Sequence, residues 1–116
     1  MKTWLITGCS SGFGQRLALA AAQRGDQVIA TARNVRTMVE MVEPFGGRMI
    51  TLPLDVTDVA AVKAAVAKAV ETFGGFDVLV NNAGYGLFGA LEEGTPEEYR
   101  PMFEVNVFGL IETTRA

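Results

Sequence analysis

The chain has 116 residues, of which 49% are hydrophobic and 20% are charged, and these values indicate one globular domain with a packed core. The net charge of −3 without a basic cluster argues against nucleic acid as a partner, and a chain without histidine lacks the usual ligands of a metal site. Because the single Cys9 cannot form an internal disulfide and the apolar run after Met1-Lys2 is too short to span a membrane, we expect a cytoplasmic protein that contacts no membrane.

Strand-like and helical runs alternate along the first half of the chain. Lys2–Thr7 predicts a first strand, and the alanine-rich stretch Gln15–Arg24 predicts a first helix that ends at Gly25. Gln27–Ala32 predicts a second strand, and a short helix is predicted over Asn34–Val42. The first half of the chain therefore has the order strand, helix, strand, helix.

The second half continues the same alternation. Arg48–Leu54 and Asp77–Val80 predict a third and a fourth strand, and Thr57–Phe73 predicts a long helix between them. A capping box at Thr95-Pro96-Glu97-Glu98 predicts a helix that runs from there toward the C-terminus. The predicted buried face of the long helix carries five apolar side chains: Val59, Val62, Val66, Val70 and Phe73.

The segment from residue 7 to residue 14, Thr-Gly-Cys-Ser-Ser-Gly-Phe-Gly, is the most informative part of the sequence. It follows the apolar run Trp4-Leu5-Ile6 and precedes the first predicted helix, so it is a glycine turn between a strand and a helix. Such a turn presents the unpaired N–H groups and the positive end of the helix dipole at one point, which suits a phosphate. The order of strand, glycine turn and helix therefore predicts a nucleotide site.

Three later features accompany this turn, whose glycine spacing is G-x-x-x-G-x-G. An Asp-Val pair follows the third strand, an Asn-Asn-Ala-Gly run follows the fourth strand, and an asparagine lies in the last helix. With these features in this order and at this spacing, the whole chain resembles the short-chain dehydrogenase/reductase family. The features are Asp55-Val56, Asn81-Asn82-Ala83-Gly84, and Asn106 within Val105-Asn106-Val107-Phe108-Gly109.

Short apolar strands separated by helices require crossover connections, and thus a parallel sheet covered on both faces. We predict an α/β fold, a Rossmann-type doubly wound sheet of about four strands in the order 3-2-1-4. A doubly wound dinucleotide fold normally has about six strands, and no glycine or proline closes the last predicted helix. We therefore expect residues 1–116 to form a single NADP-binding domain that lacks the C-terminal catalytic and substrate half.

The resemblance implies a role for each residue of the glycine turn. Gly8 would shape the turn, Gly12 would let the cofactor approach, and Gly14 would let the first helix pack closely. Hydroxyl and backbone N–H donors for phosphate and ribose would come from three further residues: Ser10, Ser11 and Phe13.

The resemblance also assigns the cofactor's adenosine end. The Asp55 carboxylate would bind the adenine amino group, with the Val56 backbone beside it. The pocket around the adenosine ribose would be lined by three residues: Asn82, Ala83 and Gly84.

The end of the second strand indicates which dinucleotide is preferred. NAD-preferring members of the family carry an acid near Ala32, where this chain is apolar, and Arg33 follows directly. A guanidinium matches a phosphate dianion in charge and geometry. We therefore predict NADP as the cofactor, with NAD less favoured.

The resemblance makes Asn106 the family's structural and catalytic asparagine, which kinks its helix and holds a water in the proton relay. The family's proton donor is a tyrosine with a lysine four residues later and a serine about a dozen residues earlier. Tyr85 and Tyr99 are followed at that spacing by Gly89 and Phe103, so neither fits. Without these groups a carbonyl has no proton donor, and we expect the chain alone to be inactive.

Other interpretations of the same residues remain open at this point. The glycine turn can be purely structural, Cys9 an activated thiolate, Arg33 an ordinary surface arginine, and Asp55 a helix cap. Asn81 and Asn82 favour turns regardless of function, and Asn106 can be a surface residue.

Three functions are compatible with the sequence. The first is the cofactor-binding portion of an NADP-dependent oxidoreductase that acts on a small alcohol or carbonyl compound. The second is a non-catalytic NADP sensor or scaffold, and the third is an inert truncated fragment. In each case the apolar edge formed by the fourth strand and the last helix predicts a homo-oligomer.

Overall fold

The computed structural model describes all 116 residues. Its single sheet has four parallel strands in the order β3-β2-β1-β4, which confirms the predicted order. Leu5 of the first strand pairs with Ile29 on one side and with Leu79 on the other, and Ile29 in turn pairs with Ile50. The strands are β1 (Thr3–Ile6), β2 (Gln27–Ala32), β3 (Met49–Pro53) and β4 (Val78–Val80).

Helices connect the strands and continue after the last one. Short 3₁₀ turns flank the second helix at Val35–Met38 and Glu43–Arg48, and another covers Leu91–Glu93. None of the helices has the length and apolar character needed to cross a membrane. The α-helices are α1 (Gly12–Gln23), α2 (Val39–Val42), α3 (Val59–Phe73), α4 (Pro96–Phe103) and α5 (Leu110–Arg115).

Helices cover both faces of the sheet. Successive side chains of a strand point to opposite faces, so each strand contributes to both cores. Ile6 and Val28 are fully buried with Ala18 and Ala22 of α1 on one face. Leu5 and Ile29 are buried with Ala69 of α3 on the other face. This arrangement confirms a doubly wound α/β sheet with helices on both sides.

The helix α3 differs in two respects from the sequence prediction. It begins at Val59 rather than Thr57, because the Asp58 carboxylate accepts a hydrogen bond from the Ala61 N–H at 3.2 Å and caps the helix. Its predicted face was wrong for Val59 and Val70, which are exposed. The buried positions are Val62, Ala65 and Ala69, whose mostly small side chains let the helix approach the sheet.

Of two other helix predictions, one changes and one is confirmed. The first helix begins at Gly12, three residues earlier than predicted, so two glycines of the turn lie within its first turn. The helix that starts at the capping box of Thr95 is confirmed, with Pro96 at its first position. It continues through a π-helical segment, Glu104–Gly109, before α5 begins, so the chain changes helical pitch around Asn106.

Candidate functional site

A cleft of about 910 Å³ lies at the carboxyl ends of the four strands. Its walls come from the turn after β1, the ends of β2, β3 and β4, and the helix α4. Eleven of the twelve residues predicted to bind the cofactor line it: Gly8, Ser10, Ser11, Gly12, Phe13, Arg33, Asp55, Val56, Asn82, Ala83 and Gly84. The twelfth, Gly14, is buried and does not line the cleft.

The amino end of α1 opens into this cleft. Ser11 is the N-cap residue in an extended conformation, and its side chain makes no hydrogen bond to the first turn. The first N–H groups of a helix have no partner within the helix, so these donors remain available to an anion. Ser10, Ser11 and Phe13 are exposed at the same end of the cleft.

Gly14 brings the helix α1 against the turn that precedes it. A Cβ at this position would contact the Gly8 carbonyl oxygen and lie 2.5 Å from Nδ2 of Asn82. These distances exclude any side chain unless the backbone moves. The absence of a side chain at residue 14 therefore allows α1 to pack closely against the glycine turn and against Asn82.

Thr7 joins the glycine turn to the loop after β4. Its buried hydroxyl accepts hydrogen bonds from the backbone N–H groups of Asn82 at 3.0 Å and Ala83 at 2.9 Å. The Asn82 amide nitrogen donates in return to the carbonyl oxygens of Thr7 at 3.2 Å and Gly8 at 3.0 Å. Two loops far apart in sequence thus form one wall of the cleft, and the side-chain donors of Asn82 are used within it.

Arg33 is the cation at the end of β2. It follows the buried Ala32, is itself exposed, and makes no ion pair with an acidic side chain. Both residues line the cleft, and no acid occupies position 32. The geometry therefore leaves the guanidinium available to a bound anion.

Asp55 lies across this end of the cleft, after β3. Its Oδ1 accepts hydrogen bonds from the Thr57 backbone N–H at 3.0 Å and from the Thr57 hydroxyl at 2.6 Å. The hydroxyl bond, then the N–H bond and the charge of Arg33 lower the pKa of the Asp55 carboxyl, while partial burial opposes them. The carboxyl is thus ionised at neutral pH. The alternative that Asp55 caps the helix is wrong, because Asp58 does so.

The loop after β3 also holds the last helical stretch in place. Gly109 approaches Val56 so closely that a Cβ on residue 109 would lie 2.6 Å from Cγ2 of Val56. Val105, one turn earlier, packs with Val56 and Leu54. The helix that follows the capping box therefore lies against the adenine-side wall predicted from Asp55 and Val56.

Asn106 lies within the π-helical segment and is not part of the cleft lining. Its Oδ1 accepts a hydrogen bond from the Tyr85 N–H at 3.0 Å, and its Nδ2 donates to the Tyr85 carbonyl oxygen at 2.6 Å. Single π-helical turns inside α-helices are frequent at functional sites. The alternative of a plain surface asparagine is wrong, because both polar ends of this amide are bonded.

Cys9 is fully buried beneath the turn, where its thiol donates to the Ile6 carbonyl oxygen at 3.2 Å. Burial raises the pKa of this thiol to about 11, with a small opposing effect from the Thr31 backbone. The alternative of an activated thiolate is therefore wrong, because a reactive cysteine needs a lowered pKa.

Sequence reasoning missed several residues of the cleft. Thr57 and Leu54 flank the Asp-Val pair, and a threonine two residues after an aspartate is a signal that could have been used. The remaining lining depends on how the loop after β4, α4 and the π-helical segment pack together, which sequence spacing does not reveal. These residues are Tyr85, Arg100, Pro101, Glu104 and Val105.

The family model for short chain dehydrogenase matches residues 2–116, and the chain belongs to the short-chain dehydrogenase family. A solved short-chain dehydrogenase from Streptomyces avermitilis is 44% identical and superposes with a TM-score of 0.95 over 99% of this chain. An alcohol dehydrogenase from Thermococcus sibiricus, complexed with 5-hydroxy-NADP, is 37% identical with a TM-score of 0.90 over 99% of the chain. A 3-ketoacyl-(acyl-carrier-protein) reductase from Brucella melitensis, complexed with NADH, is 36% identical with a TM-score of 0.92 over 98% of it.

The chain is much shorter than these proteins. It covers 43% of the Streptomyces chain, 51% of the Thermococcus chain and 48% of the Brucella chain. The short-chain dehydrogenase family consists of pyridine-nucleotide-dependent oxidoreductases, and this chain matches about half the length of such proteins. The similar proteins include complexes with 5-hydroxy-NADP and with NADH, so they do not favour one dinucleotide over the other.

Proposed function

We propose that residues 1–116 are the NADP-binding portion of an oxidoreductase that acts on an alcohol or carbonyl substrate. The observation that carries the proposal is the gathering of eleven of the twelve predicted cofactor residues around one cleft. When bound, the nicotinamide of the cofactor supplies or accepts a hydride.

The donors of the cleft fit a dinucleotide. The amino end of α1 offers free N–H groups to the pyrophosphate, and Gly12 leaves open space beside them, since a Cβ there would meet nothing within 4 Å. Asp55, ionised and partly exposed, would accept a hydrogen bond from the adenine amino group. Ala83 and Gly84 would lie along the adenosine ribose.

The preference for NADP rests on Arg33. A guanidinium without an acidic partner favours the 2′-phosphate, and the apolar Ala32 removes the repulsion that an acid would exert on it. The same charge would contribute little to the binding of NAD, which has hydroxyl groups in that place.

We propose that this chain binds the cofactor but does not turn over substrate alone. Neither of its tyrosines has a lysine four residues later, so the proton-donating group of the family is not among residues 1–116. In the whole protein Asn106, from its position in the last helical stretch, would hold a water of the proton relay. A small-molecule alcohol or carbonyl compound would be the substrate of that protein.

Calorimetry on the chain with NADP and NAD tests the proposal, and two variants at Gly12 sharpen it. Aspartate and asparagine both tolerate the positive φ of this residue and have nearly the same shape. A carboxylate at residue 12 would repel the pyrophosphate, so Gly12→Asp should bind NADP about tenfold or more weakly than Gly12→Asn. Equal affinities of the two variants would contradict a phosphate site at this turn.

The result also separates the alternatives. Tight NADP binding without turnover by residues 1–116 supports the cofactor-binding portion and is equally expected of an NADP sensor or scaffold. A longer reading frame with a tyrosine and a lysine four residues apart would distinguish these two. A folded chain that binds neither dinucleotide would be the inert fragment and would overturn the proposal.

A further inference from the structure

The two carboxylate oxygens of Asp55 have different environments. Oδ1 accepts both hydrogen bonds from Thr57, at 3.0 Å from the backbone nitrogen and at 2.6 Å from the hydroxyl oxygen. Oδ2 accepts no hydrogen bond from the chain. Both residues line the cleft, so the free oxygen belongs to a side chain that faces it.

The Thr57 hydroxyl makes no hydrogen bond other than the one to Asp55. It lies outside α3, which is capped by Asp58. An aspartate without such anchors moves among several side-chain rotamers. A short hydrogen bond from a hydroxyl to an ionised oxygen is strong and directional. With a second bond from the backbone to the same oxygen, the carboxylate is held in one orientation.

We propose that Thr57 is a positioning residue that makes the cleft selective for an adenine base. By occupying Oδ1 it keeps Oδ2 of Asp55 directed at the place where the base's exocyclic amino group would donate. This inference rests on the proposed cofactor-binding function of the cleft and assigns a base-specificity role to a residue outside the Asp-Val pair.

The chemistry of the base makes the proposal measurable. A carboxylate only accepts hydrogen bonds, and adenine presents an amino donor at its 6-position. Hypoxanthine carries a carbonyl oxygen at that position, so an oriented carboxylate would face another acceptor. A mobile carboxylate could turn away from that oxygen. Loss of orientation should therefore reduce the difference between the two bases.

The test compares NADP with nicotinamide hypoxanthine dinucleotide phosphate by calorimetry on the same chain. Wild type should favour NADP, so its dissociation constant for the hypoxanthine dinucleotide should be the larger of the two. Thr57→Val should reduce the ratio of the hypoxanthine-dinucleotide dissociation constant to the NADP dissociation constant by about three- to tenfold, as expected for one hydrogen bond. Thr57→Ser keeps the hydroxyl and should retain the wild-type ratio. Thr57→Ala removes the hydroxyl without adding bulk and should behave like the valine variant.

Thr72→Val is the matched control. This threonine lies near the carboxyl end of α3, is exposed, and its hydroxyl donates to the Lys68 carbonyl oxygen at 2.8 Å, away from the cleft. It should leave the base ratio unchanged. Equal weakening of both dinucleotides by Thr57→Val, with an unchanged ratio, would overturn the inference and leave the proposed function intact. A wild-type chain that binds neither dinucleotide would overturn both.

Discussion

The side-chain amide of Asn106 and the backbone amide of Tyr85 form a closed pair of hydrogen bonds, at 3.0 Å and 2.6 Å. This pair joins the π-helical segment to the loop after β4, just beyond Gly84. A Cβ at Gly84 would lie 2.9 Å from Oδ1 of Asn106, so the loop passes close over the amide. The helix and the loop that lines the cleft are therefore fixed to each other.

Removal of this amide should destabilise the fold. Asn106→Ala leaves both Tyr85 backbone groups without their partners, and we expect the free energy of unfolding to fall by about 1–3 kcal/mol in urea denaturation. Asn81→Ala is the control, because it removes one exposed hydrogen bond from the Asn81 amide to the Thr114 hydroxyl at 3.0 Å. Equal losses for the two variants would show that the pair at Tyr85 has no special weight.

Gly14 should be intolerant of even one added carbon. In Gly14→Ala the new methyl group would press on the Gly8 carbonyl and on Nδ2 of Asn82, and overpacking of this kind costs about 1–3 kcal/mol or more. Gly47→Ala adds the same carbon where nothing lies within 4 Å and should change stability little. Thermal unfolding of both variants checks this, and an unchanged melting temperature for Gly14→Ala would refute it.

The parts of the fold that sequence predicted are those that local patterns encode. The alternation of apolar strands with helices predicted the parallel sheet. The glycine turn after Ile6 predicted that the amino end of α1 follows directly. The prediction failed where two patterns competed, as on α3. Its valines are regularly spaced, but Val59 and Val70 are exposed. The helix instead buries Ala65 and Ala69 together with Val62, and the small side chains allow a closer approach.

The residues of the candidate site were predictable only where a local motif marks them. Thr7 contacts Asn82 and Ala83 across 75 and 76 positions of sequence, and nothing local marks its hydroxyl as the link. The π-helical segment likewise contacts residues far away in sequence, Tyr85 through Asn106 and Val56 through Gly109. Such contacts arise from packing between elements, which spacing along one element does not specify.

Arg33 should determine the choice of cofactor. Loss of a charge-assisted contact to the 2′-phosphate costs about 1.5–3 kcal/mol, so Arg33→Ala should weaken NADP binding by about 10- to 150-fold and leave NAD nearly unchanged. Arg36→Ala removes a neighbouring exposed charge that does not line the cleft and should alter neither affinity much. Equal weakening of both dinucleotides in Arg33→Ala, measured by calorimetry, would refute the assignment.

Asp26 should make the stability of the fold depend on pH. Hydrogen bonds from the Lys2 N–H at 3.1 Å and the Trp4 indole N–H at 3.0 Å lower the pKa of this carboxyl, and the charge of Arg24 adds to them. Because the folded pKa lies below the ordinary value of 3.8, its stabilisation is present above that pH and is lost as the pH falls toward the folded pKa. Asp26→Asn should flatten the dependence of unfolding free energy on pH in the acid range.

Urea denaturation followed by the fluorescence of Trp4, the only tryptophan, measures this effect at neutral pH and at pH values on either side of 3.8. Glu40→Gln is the control, since this exposed carboxyl makes no ion pair or hydrogen bond. It should keep the wild-type slope. A wild-type slope in Asp26→Asn would mean that the hydrogen bonds to Lys2 and Trp4 do not distinguish the ionised carboxyl.

The chain should associate with itself. The strand β4 pairs only with β1 and forms an edge of the sheet, and an apolar edge is a template for pairing with another chain. The last helical stretch beside it exposes more apolar surface than a solvated helix normally carries. The exposed side chains are Phe103, Val107, Phe108, Leu110 and Ile111.

Light scattering at tens of micromolar should therefore give a mass of a dimer or more for the wild-type chain. Replacing Phe108 and Ile111 by aspartate places charges on this surface and should shift the mass toward the monomer. Val39→Asp is the control, because Val39 is 62% exposed on α2, a different part of the molecule, and should leave the mass unchanged. A strictly monomeric wild type would contradict the prediction. If Val39→Asp lowered the mass as much as the Phe108 and Ile111 replacements do, net charge rather than this helical surface would govern association.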